Sequence, residues 1–324
     1  MKKTLFYATL SLFMLVALTR STSPTWIQTN WSDSSSYFSL YNYQENIFAQ
    51  NWDTLYGGRV FLTDDDGENW VQISSADSDI DILSIVMWEG TILAGTWDGF
   101  YISTDEGLTW DALTPAGIPE GTPIWSLAML DTILFAGTQG GIYKSSDNAA
   151  TWDEIGSGIP GEACITSFIS GGGAIFTASS TAGVFRTTNE GANWSEINTG
   201  LTDTHISQLV VSGPKLIAVT LNGVFVSEDD GTSWEAYSSD LKNINCFIVV
   251  DGQLFAGTDS SGVYRSINNG LTWTPFSSEL PPDTRIWSMA ADSDTLFAGT
   301  DSGVWRIEVD LAEVHWIFLP IINK

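Results

Sequence analysis

The sequence predicts an all-β chain: a seven-bladed β-propeller of four-stranded antiparallel blades, closed into a ring by an N-terminal strand. Three observations predict it. A turn motif, Ser/Thr-x-Asp/Asn-x-Gly-x-x-Trp, recurs six times, with its Trp at 70, 110, 152, 194, 234 and 273, at spacings of 40, 42, 42, 40 and 39 residues. Repetition at that period marks a ring or a stacked array. Seven Gly-led stretches of alternating apolar residues stand in the same register. Beyond the N-terminal apolar run, no stretch sustains a 3.6-residue period.

The elements follow in chain order. Met1-Lys2-Lys3, an apolar run from Thr4 to Leu18, and the small residues Thr19 and Ser21 make residues 1–21 a signal peptide. The run is short for a membrane span, and an uncleaved anchor is the alternative. The expected location is therefore secreted, periplasmic or cell-surface, in a bacterium, with no transmembrane segment once the signal is removed. Removal takes away Lys2, Lys3 and Arg20. That leaves nine Lys+Arg (12 minus 3) against 39 Asp+Glu, a net of −30. Tracking a phosphate backbone needs clustered Lys and Arg, so nucleic acid is excluded as a partner.

Residues 22–309 form the propeller. Each unit opens on an apolar strand, as in Ile124-Trp125-Ser126-Leu127-Ala128 and Ile286-Trp287-Ser288-Met289-Ala290. A second strand follows, as in Leu93-Ala94-Gly95-Thr96 and Phe135-Ala136-Gly137-Thr138. The third is Gly-led: Gly58, Gly99, Gly141, Gly183, Gly223, Gly262 and Gly303 head the seven copies. The fourth starts at the motif Trp. Seven units of about 41 residues cover about 287, the length of this region. Trp125 and Trp287 are expected in the central core.

The motif occupies the hairpin between third and fourth strands. Its copies carry Asp65, Gly67 and Trp70; Asp105, Gly107 and Trp110; Asp147 and Trp152, with Ala149 in place of Gly; Asn189, Gly191 and Trp194; Asp229, Gly231 and Trp234; and Asn268, Gly270 and Trp273. The Asp or Asn accepts backbone N–H bonds of its own turn. The Gly supplies a positive φ. The Trp is expected to cover the turn, so that its loss loosens one blade. Acidic runs such as Asp64-Asp65-Asp66 are read as turn structure, with a structural Ca²⁺ as the lesser reading and no other cofactor or metal expected.

The last unit has first to third strands at 284–290, 295–300 and 303–309 but no motif. Thr25-Trp26-Ile27-Gln28 matches the start of a fourth strand, as in Thr109-Trp110, and is expected to complete that blade. The competitor is Val314 to Leu319, in the apolar tail of residues 310–324. Cys164 and Cys246 fall on first strands of blades that are not neighbours and are expected to be buried free thiols. His205 and His315 lack ligand neighbours at zinc spacing.

The six motif copies resemble the Asp-box, or BNR, repeat, and the resemblance covers nearly the whole chain after residue 21. It implies a propeller and leaves function open. The family holds sialidases, xyloglucan-cleaving hydrolases, sortilin-type receptors, a photosystem II assembly factor and secreted bacterial propellers. A sialidase-like site needs three convergent Arg. Here Arg186, Arg265 and Arg306 share one third-strand position with Lys144, which reads as surface packing, and only Arg59 and Arg285 remain. The Phe-Arg-Ile-Pro signature of sialidases is absent. The xyloglucanase type needs two propellers, and the sortilin type a larger ring with Cys-rich modules. The assembly factor matches in length but is richer in Arg.

Loops joining second to third strands, and those entering first strands, share one face by the channel mouth. They carry the candidate ligand-binding residues Trp52, Trp97, Asp98, His205, Asp259, Arg285 and Asp301. Aromatic faces beside Asp suit sugar rings and equally suit a protein hot spot. No catalytic residue is assigned. The expected function is an exported, monomeric, non-catalytic binding module for a glycan or an extracellular protein. The alternatives are a glycoside hydrolase using a carboxylate pair and an assembly or scaffold factor with a protein partner.

Overall fold

The computed structural model describes residues 25–309, apart from 32–37, 44–45, 54–56, 74–79, 81, 221, 239–240 and 293–294. Residues 1–24 and 310–324, and with them the signal peptide and the apolar tail, lie outside the described residues. Among those described, 28 strands form seven four-stranded antiparallel sheets.

Six blades are consecutive in the chain. Blade 1 holds β2 (Phe38–Tyr43), β3 (Asn46–Asp53), β4 (Gly57–Thr63) and β5 (Val71–Gln72). Blade 2 holds β6 (Ile82–Trp88), β7 (Thr91–Thr96), β8 (Gly99–Ser103) and β9 (Asp111–Leu113). Blades 3 to 6 repeat the pattern, their first strands being β10 (Ser126–Leu130), β14 (Ile165–Gly171), β18 (Ile206–Ser212) and β22 (Ile244–Val250). Blade 7 is built from both ends of the described chain: β26 (Ile286–Ala291), β27 (Thr295–Thr300), β28 (Gly303–Glu308) and β1 (Ile27–Gln28).

The N-terminal strand therefore closes the ring, with Ile27 opposite Arg306 and Gln28 opposite Trp305. Trp26 stands in for the missing motif Trp. Its indole Nε1 donates to Phe276 O of blade 6 at 2.6 Å. The motif residues Trp194 and Trp234 do the same to Ile155 O and Ile197 O of their preceding blades, at 3.1 and 2.7 Å. In each case the acceptor lies three residues after the preceding Trp.

These bonds correct one expectation. The motif Trp does not merely cover its own turn; it crosses to the preceding blade. Trp152 stacks on Phe100 at 5.1 Å, and Trp194 packs with Phe135 and Ile142 of blade 3. The apolar core is divided accordingly. Each of its seven clusters joins two neighbouring blades, from Tyr41, Ile73 and Ile82 between blades 1 and 2 to Leu40, Ile47 and Phe297 between blades 7 and 1. The wedges are filled largely by second-strand aromatics: Phe135, Phe176, Phe255 and Phe297 are fully buried. First strands touch in sequence from β6 round through β26 to β2.

The turn motif does locally what its composition dictates. In blade 2, Ser103 Oγ donates to Asp105 Oδ1 (2.9 Å) and accepts from Gly107 N (2.8 Å). Asp105 Oδ1 also accepts from Thr109 N (2.8 Å), and its Oδ2 from Thr109 Oγ1 (2.6 Å). The same bonds recur around Asp65, Asp147 and Asp229, while Asn189 and Asn268 supply the same Oδ1 acceptor. These side chains are turned into their own loops, which is the turn-structure reading. The motif's fourth and fifth residues both take positive φ, as at Glu190 (53°) and Gly191 (86°). A methyl on Gly191 would run into Ile155 Cδ1 of the preceding blade. Ala149 keeps the positive φ (68°) where the preceding blade offers Leu113 in place of the Ile found at 73, 155 and 197.

The third-strand cations stitch blades together. Lys144 reaches Glu190 (3.9 Å) and Arg186 reaches Asp230 (4.0 Å), each in the next blade's turn. Arg306 closes the ring in the same way, onto Glu68 and the carbonyl of Asp66 in blade 1. This row is surface packing, as its repetition implied. Both cysteines are free; Cys246 is buried and Cys164 partly so, each with its thiol held above the ordinary value by burial.

Candidate functional site: the channel mouth

Second-to-third-strand hairpins sit beside the entries to first strands. Ile124 N donates to Thr96 O (2.9 Å), and Asp259 N to Asn243 O (3.0 Å). One face of the ring collects these segments, and the turn motifs lie at the other end of the third strands. The entries share a device. Strand pairing slips by one residue between Ile82 and Ser84, Ile165 and Ser167, Ile206 and Gln208, Ile244 and Cys246, and Ile286 and Ser288. Such a bulge re-aims the extra side chain. In blade 7 that side chain is Trp287, and Trp125 holds the matching place just before β10. Both are half-buried at the mouth and not in the central core, which corrects the sequence expectation.

The mouth residues fall into three groups in different sectors of the ring. The first spans blades 6 and 7. Arg285 Nε pairs with Asp259 Oδ1 at 2.7 Å, and its guanidinium lies 4.7 Å above the Trp287 ring. The Trp287 indole N–H donates to Asp301 Oδ1 at 2.6 Å. Asp259, Arg285 and Asp301, picked separately from the sequence, thus form one chain through a residue the sequence reading had placed elsewhere.

The second group joins blades 2 and 3. Trp97, at the tip of the β7–β8 hairpin, meets Trp125 edge to face with centroids 4.6 Å apart. Trp97 is 43% exposed, the only Trp among the large apolar side chains left exposed in the described residues. Asp98 beside it is exposed, its backbone N–H donating to Thr96 Oγ1 at 3.1 Å.

The third group belongs to blade 5. Asp203 Oδ1 accepts from His205 N (3.0 Å) and lies 3.0 Å from His205 Nδ1. Asp203 Oδ2 accepts from Asn222 Nδ2 (2.8 Å). Partial burial pushes the Asp203 carboxyl up, but these hydrogen bonds outweigh it and hold the group below its ordinary value. Asp203 and Asn222 were missed in the sequence, because nothing but the fold brings them to His205. Trp52 lies at the end of β3, paired with Gly58; its side chain is outside the described set.

Among the described residues, no group of three or more His, Cys, Asp or Glu is arranged to hold a metal ion. No helix among them is long and apolar enough to cross a membrane.

The fold and the mouth define a propeller with a recessed aromatic face, and the comparisons agree on the fold. Residues 126–247 match a protein-family profile described as the DUF6242 beta propeller domain. No curated protein sequence matches the chain. Among solved structures, the extracellular domain of BT4673 from B. thetaiotaomicron is similar at 17% identity and a TM-score of 0.71 over 87% of this chain. The chain spans only 39% of that protein. YCF48 bound to D1 peptide is similar at 14% identity and a TM-score of 0.66, covering 90% of this chain and 98% of that one. A catalytically inactive virginiamycin B lyase from Staphylococcus aureus with quinupristin gives 9% identity and a TM-score of 0.73, over 89% and 100% of the two chains. At these identities the likeness is one of fold.

Proposed function

We propose that the chain is an exported, non-catalytic binding propeller of the Asp-box type that takes a glycan at its channel mouth. Trp97, Asp98, His205, Asp259, Arg285 and Asp301 contribute to recognition, with Trp125 and Trp287 as their supports and Trp52 joining them by register. The observation that carries the reading is the exposed Trp97, buttressed edge-on by Trp125 and flanked by the exposed Asp98. An indole face packs against the C–H face of a sugar ring, and a neighbouring carboxylate accepts from its hydroxyls. The Asp-box assignment is supported by the hydrogen-bond set repeated in six turns. Binding is favoured over hydrolysis because Asp259 and Asp301 already have fixed partners in Arg285 and Trp287. Extracellular and peptide-bound propellers among the structural neighbours agree with an exported binding role. The second reading, a protein ligand at the same mouth, draws on the same aromatic face.

The test is a polysaccharide and glycan panel scored for both retention and released sugar. Retention without release is expected, and Trp97→Ala, a change at an exposed tip, should abolish it while the melting temperature stays put. Released reducing ends would replace the reading with a hydrolase. Neither signal would turn the search to a protein partner.

A further inference from the structure

The residue just before each turn motif faces the fourth motif residue of the next blade, and the two vary together around the ring. Lys144 meets Glu190, Arg186 meets Asp230, and Arg306 meets the turn holding Asp66 and Glu68. Where the first position is Ile102 or Val226, the corresponding residue of the next blade is Asn148 or Asn269. Leu62, followed by Glu106, is the exception. Every cation thus has an acidic turn ahead of it, as Coulomb attraction across a seam requires.

Arg265 is the remaining member of the row. It sits in β24 (Val263–Ser266), and its guanidinium lies 5.4 Å from the Phe276 ring centroid. Its Nε is buried without a hydrogen-bond partner. The next blade is blade 7, which carries no turn motif. The register still names a counterpart. The fourth motif residue comes seven positions after the third-strand Gly: Gly141 to Asn148, Gly183 to Glu190, Gly223 to Asp230, Gly262 to Asn269. Seven positions after Gly303 stands Asp310. It is acidic, as the row requires, and it follows directly on Val309, the last described residue.

We propose that Asp310 pairs with Arg265, so that the start of the tail forms an atypical seventh turn stitching blade 7 to blade 6. Ile307 and Val309 replace the Ser/Thr and Asp of the motif, so this turn lacks the internal hydrogen bonds of the other six and is held from outside, by the cation. The inference is independent of what binds at the mouth. It also has the apolar residues from Leu311 onward leave from the turn face, opposite the mouth.

Carbodiimide coupling tests it, because the reagent joins an ammonium to a carboxylate only where the two touch, taking up the water released as the amide forms. The full chain already holds a reference pair, Lys144 and Glu190. In the full-length Arg265→Lys variant, peptide mapping should find a 265–310 link beside the 144–190 link. Adding Asp310→Asn should remove the first and leave the second. A 144–190 link formed while position 265 stays unlinked, or is joined to another residue or to a second copy of the chain, would overturn the proposal.

Discussion

Each turn hinges on one acceptor side chain, and four of the six acceptors can be titrated. The carboxyls of Asp65, Asp105, Asp147 and Asp229 are held below the ordinary carboxylate value by hydrogen bonds from the residue four positions on: Asn69, Thr109, Thr151 and Ser233. A carboxyl whose folded value is depressed contributes stability that is fully present above its unfolded value, about 3.9, and is lost as pH falls through the folded value. The melting temperature should therefore drop on acidification below about pH 4. Asn189 and Asn268 show that an amide oxygen fills the same place without titrating. A combined Asp105→Asn and Asp229→Asn variant should lose less stability than the parent between neutral pH and pH 3. Equal acid sensitivity would place the acid-labile groups elsewhere.

At the scale of the element, the unit of cohesion is the seam between blades, and the motif Trp is its bolt. Trp194 is 4% exposed, packs with Phe135 and Ile142 of blade 3, and donates to Ile155 O. Truncating such a side chain costs about 3–5 kcal/mol. Trp194→Ala should lower the denaturant midpoint accordingly and raise amide exchange in both β16 (Gly183–Thr187) of blade 4 and β12 (Ile142–Ser145) of blade 3. Exchange confined to blade 4 would return the Trp to its own turn. The motif's Asp, Gly and Trp were legible in the sequence because each serves a local need repeated at one period. The direction of the Trp was not, since a period fixes a place along the chain and says nothing about which neighbour lies across a seam. Trp125 and Trp287 escaped for a related reason. An apolar residue in an apolar strand reads as core, and only the register slip at the strand's entry turns it toward the mouth.

At the scale of the whole molecule, the closed ring separates two faces. The turn face holds side chains consumed by their own loops, while the mouth holds Trp97, Asp98 and the Asp259–Arg285–Trp287–Asp301 chain. Blade number, strand order and N-terminal closure were legible, because Trp26 repeats the spacing and neighbours of a motif Trp. The grouping of the mouth residues was not, because it depends on contacts between hairpins of different blades. Indole N–H resonances of ¹⁵N-Trp-labelled protein, followed while a retained glycan is titrated in, report on both faces at once. Recognition at the mouth requires shifts at Trp97, Trp125 and Trp287 with Trp110, Trp152, Trp194 and Trp234 unmoved. Shifts confined to those four seam residues would place binding elsewhere and contradict it.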